Sequence, residues 1–162
     1  MKKKLMFLLI AVTMWFSQTA CGAEKGSVVS APSAQPSEVT DEEIKNMKIR
    51  IKVADKEVTA TLNDSEAARD FASLLPLTLT LEDYAKTEKI SVLPKRLSTK
   101  DSPSGSDPDV GDIAYYAPWG NLAIFYKDFG FSNGLVILGK IESGMDTLTT
   151  SDAVKVTIEL VK

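Results

Sequence analysis

The sequence predicts a mainly β domain, a small closed antiparallel β-barrel with one clear α-helix and one short helical turn. Three observations carry this. Apolar residues recur at every second position in four separate segments, which is the period of strands with one buried face. The stretch from Gly111 to Leu148 packs three more apolar runs between turn residues. Helical spacing appears clearly in one segment only, after Asn63. Seven or eight alternating strands would each expose an edge to other chains unless the sheet closes on itself.

At 162 residues and 44% hydrophobic content the chain can bury one core. Residues 1–22 stand apart from it. Lys2, Lys3 and Lys4 form a basic start, and Leu5 to Phe16 an apolar run too short for an ordinary spanning helix. This reads as an export signal ending at Cys21, the only cysteine, so no disulfide can form within one chain. Residues 23–46, with Ser27, Ser30, Pro32, Ser33, Pro36 and Ser37 among few apolar side chains, read as a disordered spacer. Residues 47–162 form the folded domain.

Within the domain, Met47, Ile49, Ile51 and Val53 alternate with lysines and an arginine. Val58, Ala60 and Leu62 alternate with threonines after the Ala54-Asp55-Lys56 turn, giving an antiparallel hairpin. Asn63 with Glu66 three residues on has capping-box spacing, and Ala67, Phe71, Leu74 and Leu75 share a helical face that Pro76 ends. Leu77, Leu79 and Leu81 mark the next strand and Ile90 to Leu93 a short one. Ser98 to Val110, broken by Pro103, Gly105 and Pro108, reads as a long functional or cover loop. Ile113 to Ala117 and Leu122 to Tyr126 pair across the Trp119-Gly120-Asn121 turn. Leu135 to Ile141 follows Asn133-Gly134, Met145 to Thr149 makes a helical turn, and Val154 to Leu160 is the last strand.

The segment LVILGKIESGMDTL is similar to the late cyclophilin segment in which a strand ends in a Phe-Gly-Lys type sequence and Glu-Gly-Met-Asp leads into a helical turn. The matching positions are Leu138, Gly139, Lys140, Glu142, Gly144, Met145 and Asp146, with Ser143 as one extra residue. Gly111 to Leu148 as a whole resembles the bacterial cyclophilin-like proteins, a divergent branch with the small closed barrel. The resemblance extends more loosely over Met47 to Lys162. It implies a barrel of cyclophilin-like type. Cyclophilins that isomerise Xaa-Pro bonds carry an arginine in a Phe-His-Arg segment, which this chain lacks. Arg96 is the one domain arginine in the loop-rich middle and the single candidate for a replacement; its alternative is a solvated charge.

Cys21, after Ser17-Gln18-Thr19-Ala20, resembles a bacterial lipoprotein site, at which the cysteine is lipidated and becomes the mature N-terminus, although Gln18 stands where an aliphatic residue is preferred. The alternative is ordinary cleavage after Gly22 or Ala23. Cleavage at Cys21 removes three lysines and no acid, leaving 16 basic against 22 acidic residues, a net charge of −6. That balance argues against a nucleic-acid partner. The expected place is a bacterial cell envelope, with a membrane reached through the lipid.

The chain has no histidine, which excludes Ser-His-Asp and Cys-His catalysis and histidine-ligated zinc. Nothing in it calls for a cofactor. Asp107, Asp109 and Asp112 bunch as calcium ligands do, but lack the glycine and glutamate of an EF-hand loop, and turns favour Asp, so no metal is expected.

The aromatic set is Tyr115, Tyr116, Trp119, Phe125, Tyr126, Phe129 and Phe131. By parity Tyr115 and Phe125 belong to the core. Tyr116, Trp119, Asn121 and Tyr126 are the candidate ligand-binding residues of a groove gripping an extended peptide or flat ligand; the alternative is that most of these rings only pack. Trp119, at a turn, either covers a barrel end or is presented to a ligand. Three functions follow: a cyclophilin-like domain binding a peptide or small molecule, a weak peptidyl-prolyl isomerase, or an interaction module for another envelope protein.

Overall fold

Ile49 and Ile51 of the first alternating segment and Val58, Ala60 and Leu62 of the second are buried in the computed structural model, which describes residues 47–161, while Met47 and Val53 are half-buried. The buried residues lie on β1 (Lys48–Val53) and β2 (Lys56–Leu62), where Ile49 faces Ala60 and Ile51 faces Val58. Six further strands complete the barrel. They are β3 (Leu77–Tyr84), β4 (Glu88–Val92), β6 (Asp112–Tyr116), β7 (Asn121–Phe125), β9 (Leu135–Ser143) and β10 (Ala153–Leu160). All eight close into an antiparallel barrel in the order β1-β10-β3-β4-β7-β6-β9-β2, so no barrel strand keeps a free edge. The segments read from the sequence as export signal and spacer, with Cys21, lie outside the described residues. Among those described, no helix is long and apolar enough to cross a membrane.

The helix α1 (Glu66–Ala72) lays Ala67, Ala68, Phe71 and Ala72 over one barrel end. It starts later than the capping-box spacing predicts. The first helical hydrogen bond runs from the Arg69 amide to the Ser65 carbonyl at 3.0 Å, while the Asn63 amide donates to the Leu138 carbonyl at 2.8 Å and so continues the seam between β2 and β9. Ser65 is the cap instead, its Oγ accepting from the Ala68 amide at 3.1 Å, while Asn63 Oδ1 accepts from the Ser65 amide and hydroxyl. A second helix, α2 (Met145–Leu148), buries Leu148.

The Ser98 to Val110 segment is tied down at its start. The Ser98 amide donates to Asp70 Oδ2 at 2.8 Å and its hydroxyl to Glu66 Oε1 at 2.5 Å, both on α1. Farther along, β5 (Gly105–Ser106) pairs with β8 (Ser132–Asn133), a two-stranded ribbon not expected from the sequence. Asp109 and Asp112 face Lys140 at 3.9 and 3.5 Å, and Asp112 Oδ2 accepts from the Asp109 amide. Among the described residues no group of three acidic, cysteine or histidine side chains is placed to hold a metal.

Candidate functional site

Strands β6 and β7 are buried on both faces, apart from a half-buried Tyr116. Their pairing sets which residues point where: Ile113 lies opposite Ile124 and Tyr115 opposite Leu122, and these four side chains fill the barrel. The intervening residues point outward. Ala114, Ala123, Phe125 and Leu135 of β9 form a second apolar cluster on the outer face, flanked by Ile90, Tyr116 and Ile137. Phe125 is therefore buried but not in the barrel core, contrary to the parity reading. Leu122 to Phe125 is apolar at every position, so no polar alternation fixes its face and only the pairing with β6 does.

This outer cluster floors a groove of about 170 Å³. Tyr84, Tyr116 and Trp119 form one wall. Trp119 does not cap a barrel end; it reaches over the outer face, where its ring lies 5.5 Å from Tyr84 and 5.5 Å from Tyr116, edge-on at 89° and 77°. Phe129, in the chain after β7, leans on Phe125 at 6.3 Å. Tyr84, Trp119 and Phe129 remain 43%, 51% and 49% exposed, although each has apolar partners beside it. Two wider depressions elsewhere carry ion pairs in their linings, Lys52 with Glu159 in one and Arg69 with Asp64 in the other.

The polar groups of the groove are few. Asn121 is 2% exposed; its Nδ2 donates to the Leu122 carbonyl at 3.1 Å and its Oδ1 has no partner. Glu88, opposite Phe125 in the β4–β7 pairing, makes no ion pair among the described residues, and burial pushes its carboxyl up to about 7. In the unfolded chain the same group ionises near 4.5, so between those values the folded state holds a proton the unfolded state has lost. Stability therefore falls as pH rises from about 4.5 to 7 and is level above. Glu88→Gln is expected to match the wild type at pH 4 and exceed it at pH 8 by on the order of 1 kcal/mol after solvent screening, read from denaturant titrations at both pH values.

A family model described as the cyclophilin-like family matches residues 51–159. The chain belongs to the cyclophilin-like family. Its barrel is similar to the solution structure of a hypothetical protein from Archaeoglobus fulgidus, with TM-score 0.56 and 20% identity over 75% of this chain and 100% of that one, a likeness of fold alone. Among curated proteins none matches the chain.

In this cyclophilin-like barrel the predicted residues separate. Tyr116, Trp119 and Asn121 line the same groove. Tyr126 does not; its hydroxyl donates to Asp83 Oδ2 at 2.6 Å, and burial followed by that carboxylate pushes the phenol up to about 12. Arg96 is bound to the β6–β7 turn, donating to the Ala117 carbonyl at 2.6 Å and toward the Pro118 carbonyl at 3.4 Å, and Lys95 pairs with Asp70 at 2.9 Å. No lysine or arginine lines the groove.

Sequence reasoning missed Tyr84, Glu88 and Ile90 as groove residues. It also missed Lys89, 1% exposed, which lies opposite the inward-facing Ile124 in the β4–β7 pairing. Lys89 Nζ lies 3.1 Å from Asp83 Oδ2 and donates to the Ser151 carbonyl at 2.6 Å and the Asp152 carbonyl at 3.3 Å. The Tyr126 hydroxyl, and then Lys89, hold the Asp83 carboxyl below its ordinary value. This cluster is a polar plug: every group in it has a partner and none faces the groove.

Proposed function

We propose that this cyclophilin-like domain is a noncatalytic binding module that takes a peptide segment or small molecule in the groove on the outer face of β4, β7, β6 and β9. One observation carries the reading. Tyr84, Trp119 and Phe129 stay about half exposed around a buried apolar floor, an arrangement that leaves aromatic surface in water where simple packing would have covered it. Trp119→Ala is expected to lower stability by only about 1 kcal/mol, the scale of lost aromatic pairing, against about 3–5 kcal/mol for a packed aromatic. The same variant should abolish shifts of groove resonances when a peptide library is titrated and followed by NMR. A large loss of melting temperature with binding intact would reject the reading.

Isomerisation of an Xaa-Pro bond asks for a donor positioned on the twisting amide. The only arginine near the groove is committed to turn carbonyls, which favours binding over catalysis. A proline-peptide exchange assay should show no acceleration, and acceleration abolished by Arg96→Ala would reverse that reading.

We further propose that the mature protein is anchored through lipid on Cys21 in a bacterial envelope, on the strength of the basic start, the short apolar run and the small residues before the cysteine. An acidic domain has no attraction of its own for an anionic membrane. Cys21→Ser should therefore move the protein from the membrane fraction to the soluble envelope fraction, and unchanged membrane association would reject the anchor.

A further inference from the structure

The groove is built for one sign of charge. It contains a single ionisable carboxyl, that of Glu88, and no cationic side chain to neutralise it. The rings of Trp119 and Tyr84, perpendicular to each other, form a corner in the same groove, with Tyr84 opposite Glu88 in the β3–β4 pairing, and ring faces attract cations. Along the ladder from Glu88, which is opposite Phe125, Asn121 opposite Val92 offers a buried oxygen that lacks a donor. A buried acceptor without a partner is costly, and a ligand N–H would satisfy it. Phe125, the partner of Glu88, lies four residues from Asn121 along β7, about 13 Å at the rise of a strand.

We propose that the natural occupant of the groove is a protonated alkylamine whose ammonium sits between Glu88 and the Trp119–Tyr84 corner, with an N–H farther along donating to Asn121 Oδ1. This rests on the groove being a binding site and specifies its ligand. A lysine side chain with its own backbone amide and a free diamine share this chemistry. Both are alkylammonium ions with a second N–H several ångströms away. A quaternary ammonium would satisfy the corner but not Asn121.

The test is calorimetric titration of the full chain in detergent, paired with NMR of the Trp119 indole, using four probes: N-acetyl-lysine methylamide, its Nε-acetyl derivative, cadaverine and tetramethylammonium. The lysine amide or cadaverine should bind at least about tenfold tighter than the neutral Nε-acetyl probe, the equivalent of one ion-pair or cation–π contact. Whichever of the two binds tighter identifies the source. Glu88→Gln, which removes a half-buried ionisable carboxyl and should fold at least as well, is expected to erase the preference for the cation at pH 8; Asn121→Ala should weaken the lysine amide about tenfold while leaving tetramethylammonium unchanged. If the neutral probe binds as well as the amine and shifts the Trp119 indole, or Glu88→Gln keeps the preference, the amine assignment fails while the groove remains a binding site. If no probe shifts that indole and a peptide library also leaves it unmoved, the binding reading itself fails.

Discussion

Lys89→Met should be among the most damaging single changes in the domain, lowering stability by about 3–5 kcal/mol, the range for removing one member of a buried ion pair. Methionine matches the length of the stem but leaves Asp83 with an uncompensated charge at a barrel end and takes a donor from the Ser151 and Asp152 carbonyls at once. Those two residues immediately precede β10, so their loss of tether also loosens the entry of that strand beside β3. Denaturant titration of the single variant measures the effect. Lys89→Met with Asp83→Asn should recover part of it, because the second change removes the stranded charge; equal loss in both would show that packing, not charge, is at stake. Asp83 also gives the wild type a pH signature. Its carboxyl is held below the ordinary value, so the stability it contributes is present above the unfolded value of 3.8 and is lost as pH falls through the lower folded value.

The second large effect is expected at Gly139. This residue lies on β9, between Ile113 of β6 and Leu62 of β2 in the two ladders. A Cβ built there would run into the Thr61 carbonyl oxygen and approach Leu62 Cα to 2.8 Å. Both are backbone atoms of a paired strand, so the clash cannot be relieved by rotating a side chain. Gly139→Ala should therefore cost about 3 kcal/mol or more, beyond the usual cost of overpacking, and hydrogen exchange should quicken along β2 and β9 first. Gly130, with nothing within 4 Å of its added Cβ, is the control: alanine there should change stability by less than about 0.5 kcal/mol.

Most of the barrel was legible because its strands alternate. Ile49 and Ile51, Val58 to Leu62, and Val154 to Ile158 each contrast apolar with polar neighbours, and each buries the half that the contrast indicates. Where the contrast vanishes, legibility stops. Leu122 to Phe125 has no polar member, so the face of Phe125 could be read only from its ladder with β6. In β4 the pattern misleads, since Ile90 points outward to the groove floor and Lys89 inward to the plug; a lysine inside a barrel is recognisable only once Asp83 and the Ser151 and Asp152 carbonyls are seen around it. Tyr116, Trp119 and Asn121 were legible as a group because a short turn keeps them close whatever the fold. Tyr84 and Glu88 reach the groove through strand neighbours distant in sequence, and Tyr126 leaves it because Asp83 holds its hydroxyl.

Strands β6 and β7 have consequences for how such a protein can change over generations. Their inward residues, Ile113, Tyr115, Leu122 and Ile124, answer to the demands of folding, while the outward Tyr116, Asn121 and Phe125 line the groove. The two sets interleave along the same ten or so peptide units yet share almost no side-chain contact, being separated by the sheet itself. Drift in one set is thus nearly invisible to the other. Of the groove side chains that these strands and their turn supply, only the half-buried or exposed ones, Tyr116 on β6 and Trp119 in the turn, can be exchanged at little cost in stability, so the groove can be reshaped there while the barrel interior stays as it was.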